Sequence, residues 1–418
     1  MLKMVDGTGI IGVDMVCPLG GAVSPPQPPN FDKVEMEGVG SLMLPNSLKA
    51  PLERVELLGN STQGENPAPD NPQEIKNAGK WDEGTQKYEV DVRVARKNLF
   101  PYSNDFSNWK KGVNNSYFGS VTSDESGITL EALKPYSKMV SPTFKLKPNT
   151  EYTVSAIIDA KDNSKSIGVR IFKNLNVSDY LKQIVIASRK STNRPQKVSA
   201  TFTTDDLKDT NEVYLQLDCS WGDSIMPVIA TFSDIQIELG NEATPYQPYT
   251  EQTLTITSDR PITKWDKLVE QGGQYGWLYQ SEVKEYRGEN SVSLYNSGFY
   301  FLLNNKNITK GEGYCSELKQ HVPYEKNPCI SFNMASNTYA YTLNTQEIYG
   351  SSVSEIKEYL KIHPLHLVYK TEATEFAPLS ESEQTQLRNL HSYNGTTNIM
   401  VDSGEVECGI KLTYRKEI

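Results

Sequence analysis

The sequence has few of the residues on which enzymes and metal sites most often depend. Of its 418 residues, four are histidine and five are cysteine. The cysteines form no Cys-x-x-Cys pair and their number is odd, so no disulfide framework is predicted; they are Cys17, Cys219, Cys315, Cys329 and Cys408. The HExxH, GxSxG and P-loop patterns of common enzymes do not occur. The sequence therefore predicts a protein that is not an enzyme and needs no cofactor.

Long apolar runs and basic clusters are also missing. The apolar stretch at residues 10–16 contains Asp14 and is too short to span a membrane. Only Lys3 precedes it as a positive charge, so we expect neither a signal peptide nor membrane insertion. The net charge of −10 argues against nucleic-acid binding. It would not attract an anionic polymer, whereas a neutral polysaccharide or a protein would not be repelled.

Short alternating segments are abundant, and they indicate β-strands. Apolar and polar residues alternate in five segments separated by turn-forming residues: 152–158, 167–172, 198–204, 213–217 and 233–239. Strands at this spacing predict that residues 98–250 form an antiparallel, jelly-roll-like β-sandwich. Residues 240–249 contain two prolines and two tyrosines, which favours an extended, fixed exit from that sandwich.

The flanking regions predict three further parts, and the whole chain is expected to be mainly β. Residues 1–45, with a proline-rich connector, are either an attachment arm or a disordered leader. Residues 46–97 predict a small β unit with strands at 54–58 and 88–94. Residues 251–418 predict an α+β module with a helix at 352–362 and a second helix that starts at the capping box of Ser380 and Glu383. The last strands, 398–401 and 405–415, suggest a hairpin.

Three sequence segments resemble one family of proteins. They are APLERVELLGNSTQGENPAPDNPQEI (50–75), IELGNEATPYQPY with TLTITSDRPITKWDKLVEQGGQYGWLY (237–279), and APLSESEQTQLRNLHSYNGTTNIMVDSG (377–404). These segments resemble those of minor structural and receptor-binding tail proteins of bacteriophages that infect Gram-positive bacteria. The resemblance covers most of residues 46–418. It implies a place in the virion, other tail or baseplate proteins as partners, attachment to the host surface, and a homo-oligomer, with a trimer favoured.

The central sandwich contains candidate ligand-binding side chains, and its order of elements is similar to jelly-roll carbohydrate-binding modules. If the apolar residues of 213–217 face the core, Tyr214, Gln216 and Asp218 should face outward together. Aromatic rings stack on the C–H faces of sugars, while polar neighbours bond to the hydroxyls. The predicted site for host cell-wall polysaccharide is Arg170, Tyr214, Gln216, Trp221 and Trp109. The alternative is a sheet face covered by a neighbouring subunit or domain, or a tryptophan in the core.

Other functions remain open at this point. A structural calcium ion could bind beside Asp234, because jelly-roll modules often hold one at their last strand. A pair of acids could serve a polysaccharide depolymerase, with candidates Asp205, Asp206, Asp218, Asp223 and Asp234. A tail or head decoration protein that contacts only other virion proteins would also fit an acidic chain without catalytic patterns. The histidines His363 and His366, which flank Pro364, are expected at a helix-to-strand turn.

Overall fold

The computed structural model describes most of the chain as β-structure. The described residues are 31–46, 49–112, 114–161, 166–173, 180–187, 195–204, 212–219, 226–303, 308–321, 327–332 and 339–417. Strands account for 59% and helices for 8%, which confirms the predicted fold class. The first 30 residues, Trp221 and the acids Asp205, Asp206 and Asp223 lie outside the described residues.

The elements follow one another in this order. Before residue 97 the strands are β1 Phe31–Val39, β2 Ser41–Asn46, β3 Leu52–Leu58, β4 Ser61–Gln63, β5 Ile75–Asn77, β6 Lys80–Asp82 and β7 Lys87–Arg96. The next are β8 Lys110–Lys111, β9 Phe118–Asp124, β10 Gly127–Ala132, β11 Lys138–Val140, β12 Phe144–Lys145, β13 Glu151–Lys161, β14 Ser166–Lys173, β15 Tyr180–Ala187, β16 Gln196–Thr203, β17 Glu212–Asp218 and β18 Val228–Leu239. The last are β19 Glu251–Ser258, β20 Lys267–Gln271, β21 Gln274–Tyr286, β22 Val292–Tyr295, β23 Gly298–Leu302, β24 Ile308–Cys315, β25 Lys319–Gln320, β26 Cys329–Phe332, β27 Tyr339–Leu343, β28 Leu365–Pro378, β29 Gly395–Asp402 and β30 Gly409–Glu417, with helices α1 Gln346–Tyr349, α2 Val353–Ile362 and α3 Glu381–Asn389.

These elements form two compact units. The sandwich unit comprises Ala95–Gln252 with Gly395–Thr397, and the discontinuous unit comprises the rest of the described chain. Residues 31–46, which the sequence placed mostly in an arm, form β1 and β2 in the discontinuous unit. The predicted division into four parts stays a prediction.

Two antiparallel sheets make up the sandwich unit. Their strand orders are β16-β13-β18-β10-β9 and β15-β14-β17-β11-β8, with β12 paired to β17. Alternate residues from both sheets are fully buried, among them Val169, Leu215, Leu130 and Ile237. The alternation of apolar and polar residues in the sequence therefore corresponds to the structure: one apolar face of each sheet packs into a shared core.

The segment after β18 is held by two buried polar side chains of that strand. Glu238 accepts hydrogen bonds from the Thr244 backbone N–H at 2.9 Å and from the Thr244 hydroxyl at 2.6 Å. Gln236 accepts one from the Gln247 N–H at 2.9 Å. Lys97 lies 3.5 Å from Glu238, and the side chain of Glu238 is 3% exposed. Side-chain hydrogen bonds therefore fix the course of this exit segment.

The discontinuous unit contains two hydrophobic cores. The sheets β1-β30-β3-β20-β21-β28-β24 and β19-β7-β29-β2 supply the first core, together with α3. The sheet β22-β23-β27-β26-β25 supplies the second core with α1, α2 and parts of β24 and β28. None of the helices in the described part of the chain is long and apolar enough to cross a membrane.

The last two strands do not form the predicted hairpin. β29 lies in the sheet with β7 and β19, whereas β30 lies between β1 and β3 in the other sheet. Ile399 and Ile410 belong to the same core cluster. Each strand has one apolar face, and placing the strands in two sheets allows both faces to pack into that core. Cys408 is fully buried there and has a free thiol.

The predicted capping box of α3 is present. The Ser380 hydroxyl accepts from the Glu383 N–H, and the Glu383 carboxylate accepts from the Ser380 N–H. We expect Ser380→Ala to lower the free energy of unfolding by about 1 kcal/mol, because an N-cap acceptor is lost. Urea unfolding of the full chain measures it. Ser382→Ala, two residues further along in the first turn of the same helix, is the matched control, and an equal loss in both variants would contradict the capping role.

Candidate functional site

Strand register places the predicted polar residues on one face of the sandwich. On β14 and β17, Arg170 is paired with Gln216, and Phe172 with Tyr214. Residues opposite one another in an antiparallel pair point to the same side of the sheet. Arg170 therefore joins Tyr214 and Gln216 on the face away from the sandwich core, as the sequence predicts.

A compact polar group lies on this face. It consists of Arg170, Gln216 and Asp218, and it is called here the Arg170–Asp218–Gln216 group. Arg170 Nε lies 2.9 Å from Asp218 Oδ2. Gln216 Nε2 donates to Asp218 Oδ1 at 2.8 Å. Burial raises the pKa of the Asp218 carboxyl, an effect that the charge of Arg170 and the Gln216 hydrogen bond oppose. The group thus combines fixed donors and acceptors in a poorly hydrated place.

Tyr214 does not face solvent, and this part of the sequence interpretation is wrong. Its ring stacks on Phe172 with centroids 5.1 Å apart and an interplanar angle of 7°. Tyr214 is 4% exposed and Gln216 is 3% exposed. Every residue of β17 from Val213 to Asp218 is buried, so both faces of this strand are covered. Alternation identified the face correctly but could not show that the face is buried.

Trp109 lies in an aromatic cluster of the sandwich unit and not beside the polar group. It contacts Phe100 at 5.9 Å and Phe106 at 5.5 Å between ring centroids. Phe144, which also contacts Phe100, is paired with Val213 on the core side of β17. Trp109 is 7% exposed, so it is a core tryptophan. Trp221 lies outside the described residues, and its part in the site stays a prediction.

Asp234, the candidate calcium ligand, lies at a β-bulge. Its φ of 52° falls in the left-handed region, and the register between β13 and β18 shifts at this point. Among the residues that the structure describes, no three His, Cys, Asp or Glu side chains are grouped to hold a metal ion. The structural calcium ion beside Asp234 stays a prediction, because calcium also accepts backbone carbonyl oxygens as ligands.

A cavity in the discontinuous unit contains a histidine that the sequence analysis placed in a turn. The cavity has a volume of about 480 Å³, and its lining includes Ile75, Val283, Val368 and His366. His366 belongs to β28, and its Nδ1 lies 2.6 Å from Glu317 Oε1. That contact orients the imidazole ring at an apolar wall. No sequence pattern indicated it, because Glu317 is 49 residues away from His366 in the chain.

A row of aromatic rings in the discontinuous unit is a second feature that sequence reasoning missed. Ring centroids are 4.8 Å apart for Tyr295 and Tyr300, 5.5 Å for Tyr300 and Tyr341, and 6.2 Å for Tyr341 and His321. These four side chains are called the tyrosine row. The available signal was the alternation Phe299-Tyr300-Phe301, in which both faces of one strand are aromatic.

Comparison with known proteins identifies no family for this chain. No protein-family model matches it, and no curated protein matches it. Several solved structures are similar over about a third of its length. A structure described as "CBM4 structure and function" is 17% identical, with 34% of this chain and 97% of that chain covered and a TM-score of 0.27.

Two other solved structures have similar values. The N-terminal cellulose-binding domain of Cellulomonas fimi β-1,4-glucanase C is 14% identical, with 34% of this chain and 95% of that chain covered and a TM-score of 0.25. The enzymatically active domain of tailspike protein 4 of bacteriophage CBA120 is 12% identical, with 34% and 22% covered and a TM-score of 0.26. These values assign neither a family nor a function, so the argument for function rests on the side chains of this chain.

Proposed function

We propose that this protein is a bacteriophage tail or baseplate-periphery protein that attaches the virion to its host by binding cell-wall polysaccharide. It recognises the polymer without cleaving it, and it is carried in the virion after synthesis in the host cytoplasm. Its N-terminal region joins other tail proteins. Copies in a homo-oligomer, with a trimer favoured by the resemblance, turn weak single sites into high avidity.

The observation that carries the proposal is the Arg170–Asp218–Gln216 group beside the stacked ring of Tyr214. A buried ion pair stabilises a fold poorly, because desolvation of both charges offsets their attraction. Buried charged groups with raised or lowered pKa values therefore cluster where a protein binds or reacts. Guanidinium donors and a carboxylate acceptor match the hydroxyls of a sugar, and the Arg170 side chain, at 16% exposure, is the more accessible of the two charged groups.

A specific observation favours a second candidate, a purely structural tail or head protein. The Arg170–Asp218–Gln216 group is nearly closed to solvent: Gln216 is 3% exposed and Asp218 is 6% exposed. Residues that only hold the sandwich together would look the same. The two candidates differ in one testable respect, because only the attachment protein binds wall polymer as an isolated molecule.

The test is a pull-down of the full chain by polysaccharide isolated from the walls of several Gram-positive bacteria. We expect the natural protein to bind at least one of them. The double variant Arg170→Leu/Asp218→Leu removes both charges together, and we expect it to bind about tenfold more weakly, since charge-assisted hydrogen bonds are lost. The matched control is Thr129→Val/Thr231→Val, which removes a 2.8 Å hydroxyl pair from the other sheet of the sandwich.

Each outcome of this experiment has a distinct meaning. Equal loss of binding in the control and in the charge variant would remove the Arg170–Asp218–Gln216 group as the site. A folded protein that binds no wall polysaccharide would overturn the attachment role and support the structural one. Release of reducing sugar ends during incubation would indicate a depolymerase.

A further inference from the structure

We propose that the tyrosine row is a binding surface for a neutral polysaccharide chain. This inference rests on the proposed function and gives it a second location, in the discontinuous unit. The row crosses the sheet from Tyr295 at the end of β22, over Tyr300 on β23 and Tyr341 on β27, to His321 beyond β25. A polymer laid across the strands would meet these rings one after another.

The tyrosines lie on the face of the sheet that the second core does not use. Phe299, Phe301 and Phe332 are fully buried in that core. Tyr300 and Tyr341 are paired with one another on the opposite face. Tyr295 is 45% exposed, which gives a ligand access to one end of the row. Tyr300 and His321 are half-buried, and Tyr341 is 7% exposed. Tyrosine combines an apolar ring face with a polar hydroxyl, so the accessible part of the row fits a polar, hydroxyl-rich ligand better than an apolar one.

The same face carries no charge on its four antiparallel strands. Register and burial place these residues on it: Ser293, Tyr295, Tyr300, Leu302, Cys329, Ser331, Tyr339, Tyr341 and Leu343. By contrast, β1 and β30 are crossed by surface ion pairs such as that of Glu37 with Lys411. An anionic polymer would find no cation among these positions, and the net charge of −10 would repel it. Lys319 on the edge strand β25 is paired with Cys329 and adds a cation at the margin of this face, so it is the four antiparallel strands whose chemistry matches an uncharged polymer.

The rings of the tyrosine row are also preorganised for stacking on a ligand. Burial, together with the neighbouring Tyr295 and Tyr341 phenols, raises the pKa of Tyr300; its hydroxyl is uncharged at neutral pH, as that of an ordinary tyrosine is. Each ring is held by contacts with the next one. A tyrosine has few rotatable bonds, so little conformational entropy is lost when it binds.

A glycan array with neutral and anionic hexasaccharides tests the proposal on the full chain. We expect the natural protein to bind one or more neutral glycans, with little dependence on salt. Tyr295→Ala and Tyr300→Ala should each bind these glycans about tenfold more weakly, because a stacking ring is removed. Tyr300→Phe keeps the ring and should retain most of the binding. The matched control is Tyr136→Ala, an exposed tyrosine of the sandwich unit at 60% exposure.

The possible results separate this proposal from the proposed function. Neutral glycan binding that survives both alanine variants would overturn the tyrosine row as the site and leave the attachment role standing. Binding to anionic glycans alone would overturn the claim of a neutral ligand. A change of oligomeric state in the alanine variants, measured by light scattering, would show instead that a second copy of this chain covers the face. No binding to any glycan or wall polysaccharide would overturn both proposals. Circular dichroism and thermal unfolding establish that each variant is folded.

Discussion

Arg170→Leu will lower the free energy of unfolding of the sandwich unit by about 3 kcal/mol at pH 7, because removing one partner of a buried pair leaves the other charge uncompensated. Arg170 Nε lies 2.9 Å from Asp218 Oδ2, and their side chains are 16% and 9% exposed. After the substitution, the Asp218 carboxylate keeps the Gln216 hydrogen bond but loses its adjacent positive charge. Most of the expected loss comes from this desolvated anion rather than from the Arg170 contacts themselves.

The loss should depend on pH in one direction. Burial already raises the pKa of Asp218 above its ordinary value, and Arg170 opposes that rise. Without Arg170 the pKa rises further. A carboxyl whose pKa is higher in the folded state than in the unfolded state favours folding at low pH, and this contribution disappears as the pH rises through the folded-state pKa. The difference between variant and natural protein should therefore be largest near pH 7 and should shrink towards about pH 4.

Native-state hydrogen exchange of peptides from β14 and β17 measures this difference, because it reports on the sandwich unit within the full chain. The double variant Arg170→Leu/Asp218→Leu supplies the matched comparison. It leaves no charge unpaired, so we expect it to recover most of the stability. A single variant that is as stable as the natural protein at pH 7 would show that Asp218 finds other compensation.

The sequence predicts strands well because the period of two is a property of each segment alone. The segments 167–172 and 213–217 became β14 and β17. It could not predict which strands pair, because pairing depends on which sheet can bury an apolar face. Residues 398–401 and 405–415 show this: they are neighbours in the chain, yet they lie in different sheets on two sides of one core.

The same distinction between strand register and packing applies to the candidate sites. Alternation placed Arg170 and Gln216 on one face of a sheet, because side-chain direction follows directly from strand register. Whether that face meets solvent is decided by other parts of the chain, and there the expectation for Tyr214 was wrong. The tyrosine row was hidden for the opposite reason. Phe and Tyr alternate on β23, and only the packing of the second core shows that Tyr300 lies on the face opposite that core.

Glu238 holds the exit segment, residues 240–249, and its loss should have a large effect on the stability of the sandwich unit. Its carboxylate is almost completely buried and accepts hydrogen bonds from the Thr244 N–H, the Thr244 hydroxyl and the Gln236 amide at 2.6–2.9 Å. We expect Glu238→Leu to lower the free energy of unfolding of the sandwich unit by about 3 kcal/mol. The change leaves the Thr244 N–H and the Lys97 ammonium without their buried acceptor.

Hydrogen exchange of peptides from residues 236–250 tests this most directly, since the Thr244 and Gln247 N–H groups should exchange faster once the segment is released. Glu238→Gln keeps an oxygen acceptor but no charge, so about half of the loss should return. Glu242→Ala changes an exposed acid in the same segment and should leave exchange unchanged. Should Glu238→Leu exchange like the natural protein, the proline residues alone would fix the exit path, and the buried carboxylate would serve another purpose. The predicted result would instead show that the sequence IELGNEATPYQPY meets a structural requirement: polar side chains of the strand hydrogen-bond to the segment that follows it.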